Sequence, residues 1–199
     1  MKTAIIGKGK NKELWVNDEY FCVINDFLIL KHKLPNEALS SEQLTEIKNE
    51  AEVELGFNLA VDYVAKQKTE KQVFDYLIKK ISYSNAKVVL EKLRSYRYVD
   101  DVEFAKNFVE GKKSTCGKNK LKVLLFQRGV DKSTVDNVLN ELDGQNSAFE
   151  VAKKYMRFKE TTPQNLDKLS RYLASKGFTW EEIGRVVRSY KEKVDESWN

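Results

Sequence analysis

The sequence is poor in the residues that build tight turns, metal sites and disulfide frameworks. Its 199 residues include two prolines, nine glycines, two cysteines and one histidine. So few prolines and glycines disfavour an all-β fold, which needs many turns. Cys22, Cys116 and His32 match no metal-ligand spacing, and we expect both thiols to be reduced. The sequence therefore predicts no metal and no cofactor.

Catalytic motifs and long hydrophobic runs are missing as well. The sequence has no phosphate-binding glycine loop, nucleophile elbow or histidine–carboxylate pair, so we do not expect an enzyme. Ala4–Ile6 is too short for the apolar core of a signal peptide, and no run approaches the ~20 apolar residues of a membrane helix. Hydrophobic residues make up 41% of the chain and charged residues 33%, which is typical of soluble globular proteins. We predict a mainly helical, cytoplasmic protein.

The N-terminal residues 1–57 are β-prone and acidic, with seven basic and ten acidic residues for a net charge of −3. Three short runs rich in β-branched and aromatic residues predict a hairpin or a three-stranded antiparallel sheet: Thr3–Ile6, Glu13–Val16 and Tyr20–Ile24. Residues 27–34 fit a short helix and a strand equally well. Residues 40–56 predict an acidic helix that Ser40 or Ser41 caps.

From about residue 58 onward the sequence repeats three times, and this is its strongest signal. Each copy opens with an apolar residue, an alanine and an aromatic residue three positions after the alanine. The matching segments are Leu59-Ala60…Tyr63, Phe104-Ala105…Phe108 and Val151-Ala152…Tyr155. Two more amphipathic segments follow in each copy. We therefore predict an N-terminal region at 1–57 and three-helix repeats at 58–97, 98–145 and 146–199, the last including a C-terminal tail.

The third segments of the copies align most closely. Their expected N-caps, Ser82, Asp131 and Thr179, are 49 and 48 residues apart. Apolar residues follow each cap after 4, 7, 8 and 11 positions, which traces one face of an α-helix. Gly129 and Gly177 stand two positions before the second and third caps and suit the left-handed end of a middle helix.

The middle segment of copy two is apolar on two sides. Leu121, Leu124 and Leu125 form one stripe, whereas Val123 and Phe126 face away from it. We expect such a helix to be sandwiched between neighbours. Because a three-helix unit this small buries little core alone, the copies should lean on one another. The predicted fold is mainly α, with three tandem three-helix repeats in an elongated curved array after a small N-terminal sheet-and-helix region.

Asp100 and Asp101 are consecutive acids between apolar residues, and they could be a catalytic pair, a metal site or a helix start. The repeat places them at the start of the first helix of copy two. Asp100 as N-cap has Glu103 three residues later, as in a capping box, and Asp101 would gain from the positive helix terminus. Ser147 aligns with Asp100 in copy three. We interpret the pair as a helix start.

Basic residues are concentrated in the repeats. Residues 58–97 of copy one have nine bases and four acids and residues 146–191 of copy three have ten and five, a net charge of +5 each, while residues 98–143 of copy two balance eight against eight. Residues 111–130 nevertheless contain no acid.

Eight of these basic residues form a basic strip that is our candidate contact for DNA or a partner protein: Arg94, Arg97, Lys112, Lys113, Lys118, Lys120, Lys122 and Arg128. A solvated helix face accounts for them as well as a strip that meets phosphates or an acidic groove. The sequence has no helix crowded with Arg, Asn and Gln for base readout, which favours contacts to the nucleic-acid backbone.

The stretches RYVDDVEFAKNFVEGK and GKNKLKVLLFQRGVDKSTVDNVL resemble the signature of the RecX regulatory proteins. Members of that family combine an aromatic–aliphatic–Asp–Asp–x–x–Phe–Ala segment with a basic helix that ends before a glycine. The residues that match are Tyr98, Val99, Asp100, Asp101, Phe104, Ala105, Gly117, Leu121, Arg128, Gly129 and Val130. The resemblance covers about residues 58–190, and copy one departs from it because no glycine precedes Ile81-Ser82.

The resemblance implies a non-catalytic regulator that binds along the groove of the RecA recombinase filament on single-stranded DNA and mostly inhibits it. We expect a monomer that meets no membrane and binds duplex DNA only weakly. Two other interpretations stay open from the residues alone. They are a helix-turn-helix-like DNA-binding module and a helical-repeat interaction scaffold.

Overall fold

The computed structural model describes residues 2–7, 9, 12–35, 39–141 and 145–196. These residues form three strands followed by ten helices and fall into two compact units. The first unit comprises the residues up to Lys68 together with Gln72–Val99, and the second comprises Thr69–Lys71 and the residues from Asp100 onward. The predicted class, mainly helical with a small N-terminal sheet, is confirmed.

The N-terminal sheet is antiparallel and has the order β1-β2-β3. Its strands are β1 (Thr3–Ile6), β2 (Lys12–Val16) and β3 (Glu19–Ile24). Asn17 and Asp18 connect β2 to β3 with φ angles of 51° and 67°, a left-handed turn that suits the twist of a hairpin. Residues 8, 10 and 11, between β1 and β2, lie outside the described residues.

Two helices follow the sheet. The ambiguous segment is a helix, α1 (Asp26–Lys31), because the Asn25 side chain accepts a hydrogen bond from the Leu28 N–H (2.9 Å) and caps it. The next helix, α2 (Ser41–Val64), starts with a capping box between Ser40 and Gln43. Buried residues from the sheet and both helices form the first core: Leu14, Val16, Cys22, Ile24, Leu28, Leu44, Ile47 and Ala51.

The helix α2 is longer than the sequence predicts. It continues through Gly56 and across the predicted boundary between residues 57 and 58, so the acidic helix and the first helix of repeat one are one element of 24 residues. Gly56 is buried in the middle of α2, where a Cβ would lie 2.5 Å from Ile81 Cδ1. This glycine therefore marks a close packing contact and not a helix end.

Each repeat has its own three helices and its own core. In the first, the second half of α2 packs with α3 (Glu70–Leu77) and α4 (Tyr83–Ser95). The second contains α5 (Asp101–Lys112), α6 (Lys118–Gln127) and α7 (Lys132–Asn140), and the third contains α8 (Gln145–Met156), α9 (Pro163–Ser175) and α10 (Trp180–Glu196). The middle helices supply fully buried residues at equivalent positions: Val73 and Leu77, Leu121 and Leu125, Leu169 and Leu173.

The third helices confirm the predicted spacing. They begin one residue after Ser82, Asp131 and Thr179. The residues four and seven positions after each cap are buried: Ala86, Val89, Val135, Val138, Ile183 and Val186. Leu142, predicted to lie on this face in copy two, is outside the described residues.

The predicted glycine turns are also present. Gly129 and Gly177 follow α6 and α9 with a φ of +84° each, the left-handed conformation that glycine adopts without strain. Copy one lacks the glycine, and its chain turns through hydrogen bonds from the Lys80 and Ile81 N–H groups to the Leu77 carbonyl (2.8 and 3.0 Å).

Repeats two and three meet at helix ends. The Gly117 N–H donates to the Lys176 carbonyl (2.9 Å) and the Asn119 N–H to the Gly177 carbonyl (3.1 Å), so carbonyls that end α9 satisfy N–H groups that begin α6. A Cβ on Gly117 would lie 2.4 Å from the Gly177 carbonyl oxygen. The two repeats therefore touch through their backbones at this junction.

Two local predictions are wrong. The helix α6 is not sandwiched on both sides, since Val123 and Phe126 are 48% and 39% exposed. The reason is that repeats two and three meet at the helix ends and leave this face of α6 open. Ser147 is not an N-cap, because α8 already begins at Gln145 and Ser147 lies within its first turn.

Candidate partner-binding surface

The first helix of each repeat carries the aromatic residue that the repeat pattern identifies, namely Tyr63, Phe108 or Tyr155. Each ring is half-buried. In each repeat a second ring or a cation, or both, packs against this side chain. We call these three sites the cation–aromatic clusters.

Cluster one lies in the first unit and joins Tyr63, Tyr76 and Lys68. The Tyr63 and Tyr76 rings are stacked, with centroids 4.3 Å apart and an interplanar angle of 6°. The Lys68 Nζ lies 5.1 Å from the Tyr63 centroid, within the range in which a ring attracts an ammonium group.

Cluster two lies in the second unit around Phe108. The Arg128 guanidinium is 4.4 Å and the Lys112 Nζ 5.6 Å from the Phe108 centroid. The Phe104 ring stacks on the same side chain with a centroid distance of 6.0 Å. Arg128 is held further by donating to the Leu124 carbonyl (3.1 Å), so two cations are fixed over one ring.

Cluster three has the densest set of contacts. The Tyr155 and Tyr172 rings stack at 4.5 Å with an interplanar angle of 23°. The Lys159 Nζ lies 3.1 Å from the Tyr155 centroid and the Lys176 Nζ 5.2 Å from the Tyr172 centroid.

Next to cluster three in sequence, the Arg157 guanidinium is 5.1 Å from the ring of Phe158, which is 89% exposed. Residues 155–159 of copy three therefore carry two rings, Tyr155 and Phe158, and two cations, Arg157 and Lys159.

The repeat spacing explains why these clusters recur. The lysine that contacts this ring follows it by four or five positions, within α5 at Lys112 and beyond the helix end at Lys68 and Lys159. In clusters one and three the second ring is Tyr76 or Tyr172, and each of these follows a buried residue of the middle helix by three positions. The second cation, Arg128 or Lys176, is the residue directly before the left-handed glycine. The three clusters therefore share the first-helix ring and the lysine that follows it, and they differ in the second ring and the second cation.

A half-buried ring beside a cation has two uses in recognition. The ring can stack on a nucleic-acid base or pack against an apolar side chain, and the cation can pair with a phosphate or a carboxylate. Because the ring and the cation are already in contact before binding, little conformational entropy is lost on contact. Such clusters suit binding rather than bond-making chemistry.

The structure brings part of the predicted basic strip together. Lys112 and Arg128 share the Phe108 ring of cluster two. Arg94 and Arg97 belong to the first unit, and the other six residues of the strip to the second. Arg97 is exposed and has a φ of 58°. It stands two residues after the end of α4, just as Gly129 stands two residues after the end of α6.

Three members of the strip form ion pairs. Lys122 pairs with Asp136 (2.6 Å), Lys113 pairs with Glu110 (2.7 Å) and Arg94 pairs with Glu91. Lys118 opens α6, and Lys120 is exposed while its backbone packs against Gly177. The positive charge of the strip is thus partly balanced by neighbouring carboxylates.

The Asp pair caps two helices. The Asp100 carboxylate accepts hydrogen bonds from the Val102 and Glu103 N–H groups (2.9 and 3.0 Å), as predicted for an N-cap. The Asp101 carboxylate accepts from the Glu70 N–H (2.8 Å), at the start of α3. The second contact links residues 31 positions apart, which no local pattern could reveal.

The other motif residues are structural. Ala105 is fully buried in the core of the second repeat, where a larger side chain would not fit. Phe104 is partly buried and stacks on Phe108. Tyr98 is 49% exposed, and its ring lies edge-on to Phe57 with centroids 6.1 Å apart.

Several cluster residues were not among the candidate site residues from the sequence. They are Tyr63, Lys68, Tyr76, Phe108, Tyr155, Lys159, Tyr172 and Lys176. Their signal is in the repeat, because the aromatic of the first helix is followed in each copy by a lysine four or five positions later. Charge density favours residues 111–130 instead and does not distinguish the cluster residues of copies one and three.

Within the described ranges, no group of three or more His, Cys, Asp or Glu residues is arranged to hold a metal ion. No helix of the described part of the chain has the length and apolarity needed to cross a membrane.

Both cysteines are free thiols, and burial raises the pKa of Cys22 to about 11. His32 Nε2 lies 2.9 Å from Glu50 Oε2, so the histidine joins α1 to α2.

The chain matches known proteins over most of its length. Family models described as the second and the third three-helix domain of RecX match residues 100–139 and 141–187. "Regulatory protein RecX" of Clostridium tetani is 32% identical over 191 residues, covering 89% of this chain and 87% of the relative. The protein of the same name from Clostridium beijerinckii is 32% identical over 199 residues, covering 94% and 93%.

Two solved structures share the fold. A crystal structure of regulatory protein RecX matches with a TM-score of 0.72 at 19% identity and covers 94% of this chain and 98% of that one. A crystal structure of RecX from Lactobacillus salivarius matches with a TM-score of 0.64 at 22% identity and covers 70% and 97%.

Proposed function

The chain belongs to the RecX family of regulatory proteins, and from this premise we propose that it is a non-catalytic regulator of the RecA recombinase. It binds along the groove of the filament that RecA forms on single-stranded DNA. Binding mostly inhibits strand exchange, ATP hydrolysis and co-protease activity, and so acts in cytoplasmic DNA repair and the SOS response. The protein needs no cofactor for this role.

The observation that carries the proposal is the recurrence of one cation–aromatic cluster in each repeat. A filament is itself a repeating partner that offers the same surface many times. Several weak contacts on one chain then add up, and linked sites can exceed a single site by about 10²–10⁴ in affinity. A catalytic pocket is unnecessary for such a regulator.

The predicted basic strip supplies the long-range attraction in this proposal. Lys112 and Arg128 act within cluster two, whereas Lys118, Lys120 and Lys122 line the neighbouring helix α6. Lysine and arginine attract both the DNA backbone and acidic patches on the recombinase. The rings add contact area that depends on stacking and not on sequence, so binding is expected to show little preference among bases.

The direct test follows ATP hydrolysis by RecA on single-stranded DNA while this protein is added in substoichiometric amounts. We expect the rate to fall well before one molecule is present per RecA, because one bound regulator affects many protomers of a filament. An unchanged rate at equimolar protein would refute the proposal. Strong binding to duplex DNA in the absence of RecA, with a steep salt dependence, would instead favour the DNA-binding module.

The contribution of the strip is tested with Lys118, Lys120 and Lys122 changed together to Glu. Lys132, exposed at the start of α7, serves as the charge-reversal control at a site outside the strip. We expect the triple variant to lose inhibition and the control to retain it, with circular dichroism showing that both are folded. Full inhibition by the triple variant would remove these lysines from the contact surface.

A further inference from the structure

A groove lies along the first unit where α2 extends beyond the sheet. The face of α2 that packs on the sheet carries Leu44, Ile47 and Ala51. The same face continues at Glu54, Leu55, Asn58, Leu59 and Asp62, because positions three and four apart share one side of a helix. In that second stretch the face is open, and Leu55 is 39% exposed.

The groove is a half-open cavity of about 180 Å³ lined by both apolar and polar residues. Its apolar lining includes Val23, Leu28, Leu55 and Leu59, and Glu54 and Asp62 add carboxylates. The Glu54 carboxylate lies 3.9 Å from the Lys92 Nζ, whereas Asp62 is exposed. The size suits one large apolar side chain, and the Asp62 carboxylate suits a cation next to it.

The neighbouring helix α1 adds further apolar surface. It supplies Leu28 to the groove and also exposes Phe27 (67%) and Leu30 (78%). Two large apolar side chains exposed on one short helix, beside an apolar cavity, are typical of a site that binds another protein.

We propose that this acidic groove binds a short segment of a partner protein in which a large apolar residue stands next to lysine or arginine. The charge balance favours such a partner, because residues 1–57 have a net charge of −3 in a chain of net charge +5. A basic segment is repelled by the basic repeats one and three and attracted by this region. The groove is therefore a second binding site, opposite in charge to the cation–aromatic clusters.

The experiment uses two fluorescein-labelled peptides and the full chain. One peptide combines leucines at helical spacing with lysines, and its twin carries glutamate at every lysine position. We expect the lysine peptide to bind saturably and the glutamate twin to bind at least tenfold more weakly. Non-specific attraction to a chain of net charge +5 would give the opposite preference.

Two variants locate the site. Leu55→Lys removes an apolar residue of the lining, and Asp62→Lys reverses the charge of an acidic one, so each should weaken binding of the lysine peptide at least tenfold. Val88→Lys on α4 and Glu19→Lys at the start of β3 are matched controls at exposed positions of the same unit, and both should bind within twofold of wild type. Thermal unfolding confirms that all four variants fold.

Three results would overturn the inference. The first is equal binding of both peptides, and the second is peptide binding that the two groove variants leave unchanged. The third is self-association of the wild-type chain, measured by sedimentation velocity, that Leu55→Lys abolishes; the groove would then hold a second copy of this chain and not a foreign segment.

Discussion

A single cation over a ring contributes little to the stability of the folded chain, about 0.5–1 kcal/mol at an exposed site. The contacts of Lys159 with Tyr155 and of Arg128 with Phe108 therefore matter less for folding than for the binding surface that they hold in place. They fix a charge and an aromatic surface side by side, so a partner can gain from both. Residues of this kind should be separable from the core by mutation.

Replacing Tyr172 by Leu tests this separation. Leucine fills similar space beside Leu169 but removes the ring that stacks on Tyr155. We expect the affinity for the RecA–DNA filament to fall about five- to 150-fold, since stacking on one ring is worth roughly 1–3 kcal/mol per base. Fluorescence anisotropy of a labelled filament provides the measurement.

The matched control is Tyr20→Leu, which removes an aromatic ring that is 55% exposed on the N-terminal sheet. It should leave filament affinity unchanged. Equal losses in both variants would mean that the rings act through general stability and not through contact.

The two adjacent aspartates are expected to affect stability rather than chemistry. Asp100→Ala should lower the free energy of unfolding by about 0.5–2 kcal/mol, because it removes the acceptor for two N–H groups of α5. Asp100→Asn should restore most of this loss, since asparagine caps about as well as aspartate. Urea unfolding gives both values. A stable Asp100→Asn variant without regulatory activity would show that the carboxylate charge itself meets the partner.

At the scale of the helix, predictability depends on whether the signal is local. The third helices could be placed from sequence because a cap and its apolar residues lie within a dozen positions of each other. The length of α2 could not be predicted, because Gly56 resembles a helix end and only its packing against Ile81 reveals a mid-helix contact. Ser82 shows the same limit: its N–H donates to Glu52 on α2 (3.2 Å), a contact between distant segments.

Gly177 is predicted to be essential to the junction between repeats two and three. Its φ of +84° disfavours any side chain, and a Cβ would lie 2.3 Å from the Lys120 backbone nitrogen. Gly177→Ala should therefore lower the free energy of unfolding by at least about 1 kcal/mol. Gly184 lies in α10 with open space around it, so Gly184→Ala should be neutral or stabilising. Equal stability of the two variants in urea unfolding would show that the junction does not form.

Acid should weaken the link from α2 to its neighbours. Burial raises the pKa of Glu50 and of Glu52, but hydrogen bonds outweigh it and hold both pKa values below the usual 4.5. The donors are Lys31 and His32 for Glu50, and Asn85 and Ser82 for Glu52. Since the folded pKa is the lower one, each carboxylate stabilises the fold above about pH 4.5 and loses this effect as pH falls through its folded pKa.

The double variant Glu50→Gln, Glu52→Gln measures this contribution. At pH 7 it should be less stable than wild type by about 1 kcal/mol, a modest value because these groups are partly exposed to solvent. The difference should shrink as the pH falls below 4.5 and through the folded pKa values, because wild type then loses the same charges. A constant difference across this range would rule out the carboxylate charges as its cause.

At the scale of the whole molecule, the repeats and the N-terminal region differ in charge. The three repeats are neutral or basic, and the N-terminal residues 1–57 are acidic. The repeat, the fold class and the family could be predicted because triplication makes a weak pattern visible three times. The proposed binding surface could be predicted only in part, since a basic strip is visible in charge but the pairing of Tyr76 with Tyr63, or of Lys176 with Tyr172, requires the fold. The elongated curved arrangement of the repeats stays a prediction.

The most direct measurement of the central claim removes the clusters one at a time. The variants change Tyr63 and Lys68, Phe108 and Arg128, or Tyr155 and Lys159, in each case to Leu and Glu, singly and in combination. The readout is the protein concentration that halves RecA ATP hydrolysis on single-stranded DNA. Multivalent binding predicts that this concentration rises with every cluster lost, so that the losses multiply. If removal of all three clusters leaves a folded protein as inhibitory as wild type, the clusters do not bind the filament.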